Sequence, residues 1–118
     1  MPEEVNDMLI LAERAEKAGA EEQREVFKEV YRIAPPRDEA RFLDLIAIEA
    51  YENAALMLIP EGYRTAMVSE MDHREGWLWR LAAKTGHGRW GKRGHDGVAV
   101  TAALALVASC LRARGGEG

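Results

Sequence analysis

Five cations, Arg80, Lys84, Arg89, Lys92 and Arg93, fall within fourteen residues that hold no acid. Trp90 and His87 stand among them. Such a stretch can grip phosphates through its cations and stack a base on its aromatic ring. The same charges can dock on an acidic protein surface. A third reading is a solvated hairpin loop whose charges serve only solubility. The string Gly86-x-Gly88-x-x-Gly91 matches a dinucleotide-binding fingerprint, but that fingerprint must open a helix, and no helical pattern follows here.

Other groups that do chemistry are few. His87, His95 and Asp96 form a conceivable base pair or metal site. The chain has three histidines and one cysteine, with no CxxC or HExxH spacing, so neither a metal nor a catalytic residue is expected. Cys110 sits among Leu106 and Leu111, where a small buried apolar residue is the expected role. Trp77 and Trp79 are two apart and share one face of a strand, as core or as interface anchors. No cofactor is expected.

The elements that must carry these residues come from 118 residues with a formal net charge of -4. That is one domain's worth of chain. A lone cysteine excludes a disulfide-stapled fold. Val98 to Leu111, the longest weakly polar run, is too short for the ~20 residues that cross a bilayer. The start, Met1-Pro2-Glu3-Glu4, lacks the basic region of a signal peptide. These features predict a cytoplasmic protein with no membrane contact. The charge is uneven: residues 1–62 carry -8 and residues 63–118 carry +4.

Apolar spacing predicts a helix from Glu3 to about Ala18, with Val5, Met8, Leu9, Ala12 and Ala15 on one stripe. Gly19 stops it. A second helix runs from about Ala20 to Ile33 and ends at Pro35-Pro36. A third, capped by Asp38, runs through Phe42, Ile46 and Met57 to Leu58, and its apolar excess makes it the most buried of the three. Pro60-Glu61-Gly62 is a turn. Tyr63 to Met71 then alternates as a strand, and Trp77 to Leu81 makes an antiparallel partner. Thr85 to Gly97 reads as a glycine-rich loop with a short third strand near Arg89-Trp90 or Val98-Ala99. Thr101 to about Arg114 is a helix whose buried stripe is Leu104, Val107, Ala108 and Leu111. The fold class is α+β: N-terminal helices, a small antiparallel sheet of two or three strands, and a C-terminal helix packed on it. Residues 1–36 read as a helical extension, 37–114 as a helix-sheet-helix core, and 115–118 as a frayed tail. The apolar stripes of the first two helices also allow a homodimer through them.

Ala55 to Arg64, containing Ile59-Pro60-Glu61-Gly62-Tyr63, and Ala99 to Arg114 flank the Trp77-Leu78-Trp79 strand. With the helix Leu43-Asp44-Leu45-Ile46-Ala47, this resembles small phage and prophage proteins of the phage ABA sandwich type, over about residues 40–114. In that family a "VPEGW" turn leads into a short sheet and a "TPALALCxAALRAR" helix closes the domain. Ala102 replaces the family's proline, and the cysteine lies later in the helix. The resemblance implies a phage origin and no catalytic residues. It favours the third helix on one sheet face and the closing helix on the other, although periodicity allows both on one face. The expected function is that of a non-enzymatic accessory protein docking on a host or phage macromolecule, for example as an anti-CRISPR inhibitor of a host defence complex. A protein partner leads. The alternative is a nucleic-acid-binding accessory protein that uses Arg80, Lys84, Arg89, Trp90, Lys92 and Arg93.

Overall fold

The computed structural model describes residues 3–71, 76–84 and 90–115. Helix α1 (Glu3–Lys17) buries Leu11, Ala12 and Ala15, the expected stripe displaced by part of a turn. At Gly19 the chain turns, and the amide of Gly19 donates to Glu22 Oε1 at 3.1 Å. A 3-10 turn (Ala20–Glu22) leads into α2 (Gln23–Ile33), which buries Val26, Phe27 and Val30. Its outer face carries ion pairs at helical spacing, Glu29–Arg32 at 2.7 Å and Glu25–Lys28 at 3.8 Å. Pro35-Pro36 follows, as the missing amide donor of proline requires.

The long third helix is instead two helices, α3 (Glu39–Ala47) and α4 (Tyr51–Leu56). Asp38 caps the first, accepting from the Arg41 amide at 3.0 Å. Between them the Glu49 amide donates to Ile46 O at 3.0 Å and the Ala50 amide to Leu45 O at 2.8 Å. That is the Schellman pattern of helix termination. It requires a left-handed residue, and Glu49 supplies it with φ 60°. The apolar excess read as burial points partly outward: Leu43 and Leu56 are exposed, and Ile48 is 73% exposed. Phe42, Ile46, Ala54, Ala55 and Leu58 do the packing.

The turn at Gly62 takes φ 87°, which glycine adopts without Cβ strain, and Tyr63 N closes it on Pro60 O at 3.1 Å. Strands β1 (Tyr63–Glu70), β2 (Trp77–Lys84) and β3 (Trp90–Ala99) form an antiparallel sheet in the order β1-β2-β3. β3 corrects the expected glycine-rich loop, since Gly91, Gly94 and Gly97 lie in a ten-residue strand. Gly97 is there for space, not for turning. A Cβ on it would lie 1.9 Å from the Ala105 carbonyl oxygen.

That carbonyl belongs to α5 (Ala102–Gly115). Thr101 caps it, its Oγ1 accepting from the Leu104 amide at 3.2 Å. The expected stripe widens to burial all round, from Ala103 to Leu111 without a break. On one side α5 packs against β2 and β3, on the others against α1 and α4. Among the described residues, no helix packs on the opposite sheet face, so the two-faced sandwich arrangement is not adopted. The first two helices are not an appendage. α1 shares one core with α5 and the sheet, and α2 adds Phe27, whose ring meets Phe42 and Tyr51 at 6.1 and 5.2 Å. Of their apolar stripes, Ala12, Ala15, Val26 and Val30 are buried inside the chain.

Candidate docking face

Strand alternation divides the sheet. Toward α5 point Trp79 and Leu81, both in the core, with Trp77 packed at its border. The indole of Trp79 donates to Thr65 Oγ1 at 3.0 Å, satisfying its one polar atom. Both tryptophans therefore serve the core. The other face carries cross-strand rows set by the register: Met67–Arg80–Asp96, Ser69–Leu78–Val98 and Arg64–Ala82–Gly94. Leu78 and Val98 are half-buried there and lie outside the core cluster, and Met67 is 43% exposed.

Arg80 and Asp96 face each other directly. Nε and Nη2 of the arginine donate to the two carboxylate oxygens at 2.7 and 2.9 Å. This fork holds the Asp96 carboxyl below its usual pKa range. It also spends the charge of Arg80, so this first member of the basic stretch is an ion pair on the open face. Gly94 leaves room for the arginine stem, since a Cβ there would lie 3.0 Å from Arg80 Cγ and Cδ.

Lys84 and Trp90 oppose each other in the β2–β3 register, and Lys92 and Arg93 continue along β3. For these four the backbone alone is described. Arg89 and His87 lie outside the described residues. The structure brings Lys84, Trp90, Lys92 and Arg93 to one end of the sheet. Arg64, missed in the sequence, joins them because β1 begins where β2 ends: Arg64 pairs with Ala82. The hairpin itself was the signal, since it returns the start of one strand to the end of the next.

The two sheet edges differ. Along β3, the Val98 amide donates to Glu16 Oε2 at 2.9 Å, and Asp96 O accepts from Arg112 Nη1 at 2.8 Å. Glu16 and Arg112 also bind each other, so α1 and α5 together close that edge. β1 pairs with β2 alone among the described residues, and Arg64 to Glu70 are all exposed.

Elsewhere the chemistry is quiet. His95 and Asp96 are neighbours on a strand, so their side chains leave on opposite faces. His95 lies on the α5 side, 5.7 Å from the Tyr63 ring, and Ser109 Oγ donates to its carbonyl. Cys110 is fully buried, and desolvation raises its thiol pKa far above the usual value, which suppresses the reactive thiolate. No cluster able to hold a metal occurs among the described residues. No helix of the described residues is long and apolar enough to cross a membrane. A recess of about 500 Å³ opens between Pro36, Met57, Pro60 and Arg114, rimmed by the exposed Arg37–Glu61 pair at 3.6 Å. Its Arg114 is committed to Ala34 O at 2.8 Å, where it ties α5 to the end of α2.

No family model matches the chain, and neither a curated protein nor a solved structure is significantly similar to it.

Proposed function

We propose that the protein is a non-enzymatic binding protein that docks through the open face of its sheet onto an acidic surface of a partner protein. The carrying observation is the helix-free face itself. It sets half-exposed Met67, Leu78 and Val98 beside a basic end made of Arg64, Lys84, Lys92 and Arg93. Apolar centre and charged rim are the composition of a protein-docking patch. Two of the groups that nucleophilic or acid–base chemistry could use are spent: Cys110 is buried, and Asp96 is tied to Arg80. The phage resemblance supplies a setting, an accessory protein acting on a host complex, with inhibition of a defence complex as one concrete form.

The basic end favours nucleic acid as a second reading, because phosphate contacts need only clustered cations. Two features weigh against it: the face has an apolar centre, and Arg80 is neutralised by Asp96.

The test is capture from bacterial lysate with the wild-type protein and with Met67→Glu, followed by binding of the purified captured protein. The expected result is an acidic partner whose binding weakens at least tenfold in the variant and falls with salt. Equal binding by both forms overturns the reading. Binding of random-sequence DNA at low salt, lost in Lys92→Ala with Arg93→Ala, transfers support to nucleic acid.

A further inference from the structure

We infer that the partner anchors on the open face by an aromatic side chain that stacks flat on the guanidinium of Arg80, beside Met67. The inference rests on the docking reading above and names the chemistry at the centre of that face.

An arginine is recognised along its edge by acceptors, or on its flat side by a ring. At Arg80 one edge is taken. Nε and Nη2 donate to the two carboxylate oxygens of Asp96 at 2.7 and 2.9 Å. Such a fork lies along the edge and leaves the flat side for stacking, and the Arg80 side chain is 41% exposed. Asp96 is itself held, because Arg112 Nη1 donates to its carbonyl at 2.8 Å. The stem of Arg80 passes over Gly94, where an added Cβ would lie 3.0 Å from Cγ and Cδ. The plane is therefore set before a partner arrives, and binding need not order a free arginine side chain.

The neighbours suit a ring. Met67 stands opposite Arg80 in the β1–β2 register and is 43% exposed. Cross-strand neighbours lie about 5 Å apart, which is also the separation a thioether sulfur favours from an aromatic ring. Leu78 and Ala82 flank Arg80 on the same face of β2. In the adjoining row Ala82 and Gly94 carry at most a methyl group, so that side of Arg80 is not walled in.

Electrostatic complementarity selects the occupant. An aromatic ring turns the negative face of its quadrupole to a cation, and an aliphatic side chain has no such field. A partner carboxylate finds this arginine edge occupied and Asp96 beside it, so acids of the partner are left to the basic end of the face. A nucleobase also has a flat side, but it brings a phosphate, which the half-exposed Asp96 repels. The occupant that fits is a tryptophan, tyrosine or phenylalanine of a partner protein, side chains suited to anchoring an interface.

The experiment is an NMR titration of the full chain with N-acetyl-tryptophanamide, a neutral aromatic, against N-acetyl-leucinamide and adenosine monophosphate. The signal followed is the Nε–H of Arg80, which lies in the plane being stacked. The tryptophan amide is expected to move it upfield and saturably through its ring current, and the leucine amide is expected to leave it in place. Arg80→Lys keeps the charge and removes the plane. In that variant the Met67 methyl signal is expected to report binding of the tryptophan amide weakened about threefold. An Arg80 signal that the two amides move alike, or that neither moves, overturns the inference. So does an Arg80→Lys variant that binds the tryptophan amide as well as the wild type. Tighter binding of adenosine monophosphate than of the tryptophan amide overturns it in favour of a nucleobase. The docking reading fails separately, when lysate capture is unchanged by Met67→Glu. A captured partner lost in Met67→Glu, with no ring effect at Arg80, removes the aromatic anchor alone.

Discussion

Glu16 and Arg112, 96 positions apart in the chain, meet through two charge-assisted hydrogen bonds of 2.7 and 2.6 Å. Each group also holds a backbone atom of β3, so one ion pair fastens α1, α5 and the sheet edge. Both side chains are less than a third exposed. Removing one partner leaves the other charge partly buried and short of partners. Arg112→Met keeps much of the stem volume and should cost about 2–4 kcal/mol. Glu16→Gln keeps an acceptor for the Val98 amide and should cost about half as much. Urea midpoints compare them. Arg112→Met as stable as the wild type would show that the pair contributes nothing.

Gly97 faces α5 at a distance no side chain tolerates. Its added Cβ would strike the Ala105 carbonyl and the Ser109 amide, both backbone, so the helix itself must move. Gly97→Ala should destabilise by about 1–3 kcal/mol or more, the range for overpacking a well-packed site. Gly62→Ala offers a contrast: nothing lies near its Cβ position, and only the left-handed backbone resists. Thermal melting should rank Gly97→Ala as the worse of the two.

Glu49 ends α3 in a left-handed conformation that disfavours any residue with a Cβ. Its ion pair with Arg24, at 3.7 Å and well exposed, offsets little of that strain. Glu49→Gly should raise stability by about 0.5–1 kcal/mol, even after the greater entropy of glycine in the unfolded chain. A lower melting temperature for this variant would contradict the strain argument.

Asp96 makes the acid limb of stability testable. Hydrogen bonds from Arg80 depress its folded pKa, so the unfolded chain takes up this proton first as pH falls. The contribution is complete above about pH 4, the unfolded value. It is lost as pH falls through the depressed folded pKa. Both partners are 41% exposed, so solvent screening keeps it to about 0.5–1 kcal/mol. Asp96→Asn should therefore lose less stability between neutral pH and pH 2 than the wild type, as followed by chemical denaturation at each pH. Parallel pH curves would show that the pair is not coupled to folding.

The sequence announced those elements whose ends carry a local signal. Asp38 caps α3 as its position suggested, Pro35-Pro36 and Pro60-Glu61-Gly62 interrupt the helices, and alternation from Tyr63 marks β1. The break at Glu49 carried no signal, because its left-handed position lacks the glycine or asparagine that advertises one. β3 was hidden for the opposite reason. Its glycines look like loop residues until α5 is seen pressing on Gly97, a tertiary demand that local spacing does not express. The full burial of α5 was half visible: no charge interrupts Ala102 to Leu111, yet periodicity singled out a stripe. At the candidate face, the cations of the β2–β3 hairpin stood out by number. The neutralisation of Arg80 depends on Asp96 sixteen residues later, and the recruitment of Arg64 depends on pairing.

The burial of α5 on every side has a consequence for synthesis. Each element it packs against, from α1 to β3, precedes it in the chain. Translation delivers residues N-terminus first, at roughly 5–20 per second. The sheet and the first four helices must therefore wait with uncovered apolar surface until residues 102–115 leave the ribosome. During that interval the nascent chain is a natural client for chaperones, and a stop codon placed just before Ala102 should yield a fragment that aggregates rather than a smaller folded protein.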